Sequence, residues 1–177
     1  MRARKINAPK KKKPAGNAEL AGVRSIEGHL DAGFARFAIV ATQWYDEILD
    51  PLIAGALQTL REAGAQDKDI TLIRVPGSFE LPLALEHAAA SGKYDALIAL
   101  GCVVRGGTPH FEYVAGECAR GVREVMLSYR LPVAFGVLTT DNLKQARERS
   151  RPDADNKGRE ATLAAIRMLS VLRQLHD

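Results

Sequence analysis

The sequence predicts an α/β protein of three layers, α/β/α, built on a four-stranded parallel sheet. Two observations carry this. Four short apolar runs, at 34–41, 70–75, 95–100 and 133–138, recur along the chain. Each has strand length and little polar alternation, as strands covered on both faces do. Helically spaced apolar residues separate them, giving the order β-α-β-α-β-α-β-α-α, which folds into a sheet with helices on both sides.

The first run ends in Thr42-Gln-Trp-Tyr-Asp46. Asp46 is read as the N-cap of the first helix. Leu49, Leu52, Ile53, Ala56, Leu57 and Leu60 then fall on one helical face, and Gly64 stops it. Proline fits only a first helical turn, so the regular helix is expected to begin near Pro51. The second run turns at Pro76-Gly-Ser-Phe-Glu80 into a helix over 81–90, ended by Ser91-Gly92. The third leads into Gly101-Cys-Val-Val-Arg-Gly-Gly-Thr-Pro-His-Phe-Glu112 and a helix showing Val114, Cys118, Val122 and Val125, which Pro132 ends. After the fourth run, Asp141 is read as the cap of a short polar helix reaching about Arg149. Residues 150–157 form a loop, and the last helix shows Ala161, Ala165, Met168, Leu169 and Leu172 on one face. Ahead of the core, residues 23–27 read as a short extended segment.

The basic pI of 9.2 comes from one end. Residues 1–16 carry Arg2, Arg4, Lys5 and Lys10 to Lys13 with no acid, which leaves 18 basic against 21 acidic groups in the rest. Residues 1–20 are therefore read as a basic disordered arm and 21–177 as the folded domain. For the arm, a solubilising role and a weak polyanion contact both stay open. Cys102 and Cys118 lack metal or CxxC spacing and fit buried thiols in a reducing, cytoplasmic setting. The N-terminus has no apolar secretory stretch, and no run suits a membrane span.

In parallel sheets, ligands sit beyond the carboxyl ends of the strands. That rule brings Trp44, Glu80 and His110 together. Gly106-Gly107-Thr108 offers bare N–H groups to an anion, and His110 carries protons near neutral pH. The alternative for this stretch is a plain strand-to-helix connection. Gly101 and Gly106 have P-loop spacing, but Gly107-Thr108 replaces the lysine, and no GxGxxG follows the first strand. A nucleotide is thus disfavoured and a small phosphorylated substrate suits better. His29, His87 and His176 read as surface residues, and no histidine pair has metal spacing. Trp44 in a loop beside Tyr45 suits stacking on a planar ring. Glu80 suits a helix first turn or a polyol. Arg149 and Arg151 are phosphate-clamp candidates or solvated helix-end residues.

With these residues assembled, the chain resembles the 6,7-dimethyl-8-ribityllumazine synthase family. Four blocks carry the likeness: Val75-Pro-Gly-Ser-Phe-Glu-Leu-Pro82, Gly101 to Val114, Val133-Ala-Phe-Gly-Val-Leu-Thr-Thr140, and Asn156-Lys-Gly158 following Arg149. The resemblance implies a flavodoxin-like fold and a cytoplasmic transferase of riboflavin biosynthesis. It joins 5-amino-6-(D-ribitylamino)uracil to 3,4-dihydroxy-2-butanone 4-phosphate and releases phosphate and water. It implies no metal, no cofactor, no membrane and a homo-oligomer, a pentamer or a larger capsid, with sites shared between neighbours. By the same likeness Trp44 stacks on the pyrimidine, and Ser78, Phe79 and Glu80 meet the ribityl chain and ring. Cys102, Val103 and Val104 present backbone to the uracil edge. Gly107, Thr108 and Arg149 seat phosphate, with Lys157 near it. His110 transfers protons, and Phe135 reaches a neighbour's site. Tyr45 departs from the smaller polar residue common there. The loop 150–155 lacks the Gly-Thr-Lys-x-Gly pattern linked with sixty-subunit capsids. A lumazine- or flavin-binding scaffold without turnover is the competing reading.

Overall fold

The structure, a computed structural model, describes residues 22–153 and 155–176. The basic arm read at 1–20 lies outside the described residues. Strands β1 (Phe37–Thr42), β2 (Ile70–Val75), β3 (Ala96–Val104) and β4 (Val133–Thr140) form one parallel sheet in the order β2-β1-β3-β4. This is the flavodoxin-like order, with β1 and β3 inside and β2 and β4 as edges. Helices α1 (Asp46–Glu62) and α5 (Lys157–His176) cover one face, and α2 (Leu81–Ala90) and α3 (His110–Tyr129) cover the other. The pleat divides the inner strands between the two cores. Phe37, Ile39, Ala41, Ile98 and Leu100 pack towards α1 and α5, whereas Ala38, Val40, Leu97 and Ala99 pack towards α2 and α3.

Several local expectations are corrected. Asp46 does not cap α1: it is the first helical residue, pairing with Arg74 at 3.3 Å, while Tyr45 takes the cap position at φ 63, ψ 62. The Tyr45 carbonyl accepts from Ile48 and Leu49 at 2.8 and 2.9 Å. Pro51 lies inside α1. Burial of Ile48, Leu49, Leu52 and Ile53 holds the turns on both sides of it and outweighs the bond its missing N–H forfeits. The short helix α4 (Leu143–Ser150) is capped by Asn142, whose side chain accepts from the Gln145 N–H at 3.0 Å. Asp141 faces Arg105 instead. β3 and β4 run to Val104 and Thr140, beyond their apolar runs, because they go on pairing with each other. β2 is not buried on both faces: at the sheet edge, Leu72 stays 44% exposed. Residues 23–27, read as a short extended segment, pair with no strand of the sheet. Nearby, the Glu27 carbonyl accepts from Gln174 and the His29 N–H donates to Ser170, which lays this segment along α5.

One close approach sets how α1 and α5 meet. A Cβ on Gly158 would lie 2.1 Å from the Leu52 carbonyl oxygen, and one on Gly55 would lie 2.5 Å from Asn156 Oδ1. Asn156 is buried, and its Nδ2 donates to the carbonyls of Pro51, Ser150 and Arg151 at 3.1, 2.9 and 3.0 Å. Its Oδ1 accepts from the Arg159 N–H at 3.0 Å. The Asn156-Lys-Gly158 stretch is therefore a structural joint, whatever Lys157 does in the site.

Candidate active site at the carboxyl ends of the strands

A cavity of about 530 Å³ opens where β1, β2 and β3 end. Trp44, Ser78, Phe79, Glu80, Cys102, Val103, Val104 and His110 line it, so the fold brings these eight sequence candidates together. Each comes from a strand end. Trp44 follows β1, Ser78 to Glu80 make the β2–α2 turn, Cys102 to Val104 end β3, and His110 opens α3. Trp44 and Phe79 are 65% and 59% exposed, so their rings stand bare to a ligand. A Cβ on Gly77 would meet Glu80 Oε2 at 2.9 Å, the movable end of that side chain.

Sequence reasoning missed Thr42, Gly77, Tyr113 and Val114 in this lining and gave Tyr45 no role. Tyr113 and Val114 had a usable signal, because they lie one helical turn beyond His110. Thr42 had none. Its hydroxyl is buried at the last residue of β1 and has no partner among the described residues.

Between β3 and α3 the loop 105–109 is open. Among the described residues the N–H groups of Gly106, Gly107 and Thr108 have no hydrogen-bond acceptor, and a Cβ on either glycine would meet nothing within 4 Å. Three bare N–H groups at the start of a twenty-residue helix suit an anion. The loop's flanks are charged: Arg105 pairs with Glu112 and, at 3.2 Å, with Asp141. The Arg105 hydrogen bond holds the Glu112 carboxyl below its ordinary range and raises Arg105 in turn.

Phe135, Arg149 and Lys157 do not join this cavity. They line a second hollow, of about 390 Å³, against the outer edge of β4. The convergence expected of Arg149 with Trp44, Glu80 and His110 thus does not occur within one chain. The strand order explains it, since β4 is an edge strand and α4 carries Arg149 along that edge. Arg149 there reaches back to the Gln145 carbonyl at 3.0 Å, and Lys157 pairs with Glu160 at 2.6 Å. Phe135 stands 43% exposed.

The cysteines are not nucleophiles in this setting. Burial pushes the Cys102 thiol up to about 11 and Cys118 up to about 12, leaving almost no thiolate at pH 8. Iodoacetamide at pH 8 is expected to leave both unlabelled in the native protein and to label both after denaturation, as intact mass will show. Rapid native labelling of Cys102 would contradict its burial. Among the described residues, no group of three His, Cys, Asp or Glu side chains could hold a metal ion, and no helix is long and apolar enough to cross a membrane.

The family model described as 6,7-dimethyl-8-ribityllumazine synthase matches residues 34–173, a span that contains every residue of both hollows.

Proposed function

The chain belongs to the 6,7-dimethyl-8-ribityllumazine synthase family, and we propose that it condenses 5-amino-6-(D-ribitylamino)uracil with 3,4-dihydroxy-2-butanone 4-phosphate, as a transferase of riboflavin biosynthesis. The observation that carries this reading is the cavity at the strand ends. It combines an exposed Trp44 ring, the Glu80 carboxylate, the ends of Cys102–Val104 and His110, beside a loop whose N–H groups have no acceptor among the described residues. A planar pyrimidine stacks on Trp44. Backbone at 102–104 meets its polar edge, and Ser78 and Glu80 meet the ribityl hydroxyls.

The chemistry then needs little more than placement and proton traffic. The pyrimidine's 5-amino nitrogen attacks the ketone carbon, and the carbinolamine loses water to give an imine. Proton loss from the adjacent carbon drives out inorganic phosphate and leaves an enol, which takes a proton at its terminal carbon to become a ketone; the second amine attacks that carbonyl and closes the ring with loss of water. His110 takes and returns these protons. The departing phosphate gathers negative charge, which aligned N–H groups at Gly107 and Thr108 and a guanidinium stabilise.

Arg149 is the natural guanidinium, yet it lies in the other hollow of the same chain. We therefore assign the complete site to two copies. The strand-end cavity of one meets the β4 edge of the next, which brings Phe135, Arg149 and Lys157. Such a head-to-tail contact uses different patches on each partner and closes into a ring.

Purified protein given both substrates is expected to produce fluorescent lumazine well above the spontaneous rate. Turnover no faster than the uncatalysed reaction, with ligand held tightly, would instead establish a binding scaffold.

A further inference from the structure

The loop that links β3 to α3 has almost nothing holding it. Among the described residues, Gly106 and Gly107 lie in open space and the N–H groups from Gly106 to Thr108 have no acceptor, and a glycine pair is the least self-ordering of sequences. What borders it is one residue, Arg105, which holds the entry through its backbone and the exit through its side chain. The Arg105 N–H donates to the Thr140 carbonyl at 2.8 Å, which fixes the loop's entry to the end of β4. The Arg105 guanidinium pairs with Glu112 in the first turn of α3, which fixes the exit. Its Nε donates to Asp141 Oδ1 at 3.2 Å, and its carbon centre stands 4.2 Å from the centroid of the Phe111 ring.

We propose that Arg105 is a positioning residue for the reaction: it clamps both ends of the Gly106–His110 loop against the β4–α4 turn, so that the phosphate-seating N–H groups and His110 hold one geometry. The proposal rests on the reading that this loop seats the phosphorylated substrate.

Arginine suits the task as no other residue does. Its planar fork serves two carboxylates at once while its flat face covers an aromatic ring. Closing Arg105 onto Glu112 also shortens the free segment to a few residues, which removes disorder before substrate arrives. The charge has a second effect. Glu112 and Asp141 flank the loop, and without Arg105 they would repel an incoming phosphate. Exposed ion pairs add little to global stability, so the contribution belongs in loop order and substrate use rather than in melting temperature.

Two measurements on the full chain test this. The first is hydrogen exchange of the unliganded protein, which needs no substrate. Arg105→Ala is expected to speed exchange about tenfold at the hydrogen-bonded amides of the loop's two feet, residue 105 and Glu112, while the strands keep their protection. The second is steady-state kinetics. Arg105→Ala is expected to raise KM for the phosphorylated substrate by about tenfold and leave KM for the pyrimidine within about twofold. Arg105→Lys keeps the charge but loses the fork, so exchange should stay fast while KM recovers in part. Unchanged loop exchange in Arg105→Ala would overturn the clamp. So would KM values for both substrates rising together with a fall in melting temperature, the mark of a merely structural residue. Faster loop exchange in a protein whose wild type makes no lumazine would sustain the clamp and remove the reaction assigned to the site.

Discussion

Two crippled chains, mixed, should make a working enzyme. On the proposed function, Arg149→Ala is expected to cost about a hundredfold or more in turnover of the phosphorylated substrate, because Arg149 is proposed to meet the departing phosphate. By the same proposal, Trp44→Ala with Glu80→Ala is expected to cost as much, through loss of the ring proposed to stack on the pyrimidine and the carboxylate proposed to meet the ribityl hydroxyls. The two lesions lie in different hollows. Co-assembled in equal parts, a site is whole when a chain with an intact strand-end cavity meets a chain with an intact β4 edge. Random neighbours supply that with a chance of one half times one half, so activity should return to about a quarter of wild type. Each variant alone should stay near background. A mixture no better than the average of its components would show that Arg149 works inside its own chain, or not at all.

The largest expected effect on stability belongs to Gly158→Ala. The added carbon would sit 2.1 Å from the Leu52 carbonyl oxygen, where real Cβ atoms keep to about 3 Å or more. The obstacle is backbone, so no side-chain rotation relieves it, and α5 must slide about 1 Å away from α1. That movement would also disturb the Asn156 bonds to Pro51, Ser150 and Arg151. We expect a loss of about 3 kcal/mol, the upper end for overpacking, and a melting temperature lower by roughly 10 °C. Gly116→Ala is the contrast, since a Cβ there meets nothing within 4 Å on the exposed face of α3. Alanine is the better helix former, so that change should be neutral or stabilising by up to about 1 kcal/mol. Equal melting temperatures for the two variants would refute the close-packing account.

Much of the fold was legible because hydrophobic burial writes itself into spacing. β1 and β3 are covered on both faces and read as unbroken apolar runs. α3 and α5 show their buried faces as helical repeats. What stayed hidden depended on forces without a side-chain period. β3 continues past its first apolar run to Val104 by pairing with β4, with Cys102 buried and Val103 and Val104 packed against the two cores. Asn142 rather than Asp141 caps α4, because Arg105 draws Asp141 away, and chain order alone does not reveal that competition. The strand-end rule brought Trp44, Glu80, Cys102 and His110 to one cavity. It could not show that Arg149 stands apart, since the sequence of elements does not say which strand ends at an edge. Tyr45 carries the clearest missed signal. A tyrosine in left-handed backbone at the rim of the cavity is held there against its own preference.

The Asn156 joint has a consequence for how this chain can diversify. A single amide grips the carbonyls of Ser150 and Arg151 on one side of a short loop and lies next to Lys157 on the other. The loop's two feet are thereby fastened by the Asn156 side chain, in addition to the backbone bonds that Asp153 makes to Arg151 and Asn156. Residues added or lost at its crest would leave Arg149 and Lys157 where they stand. Evolution, or an engineer, has at that crest a place to graft new surface while the chemistry below goes on undisturbed.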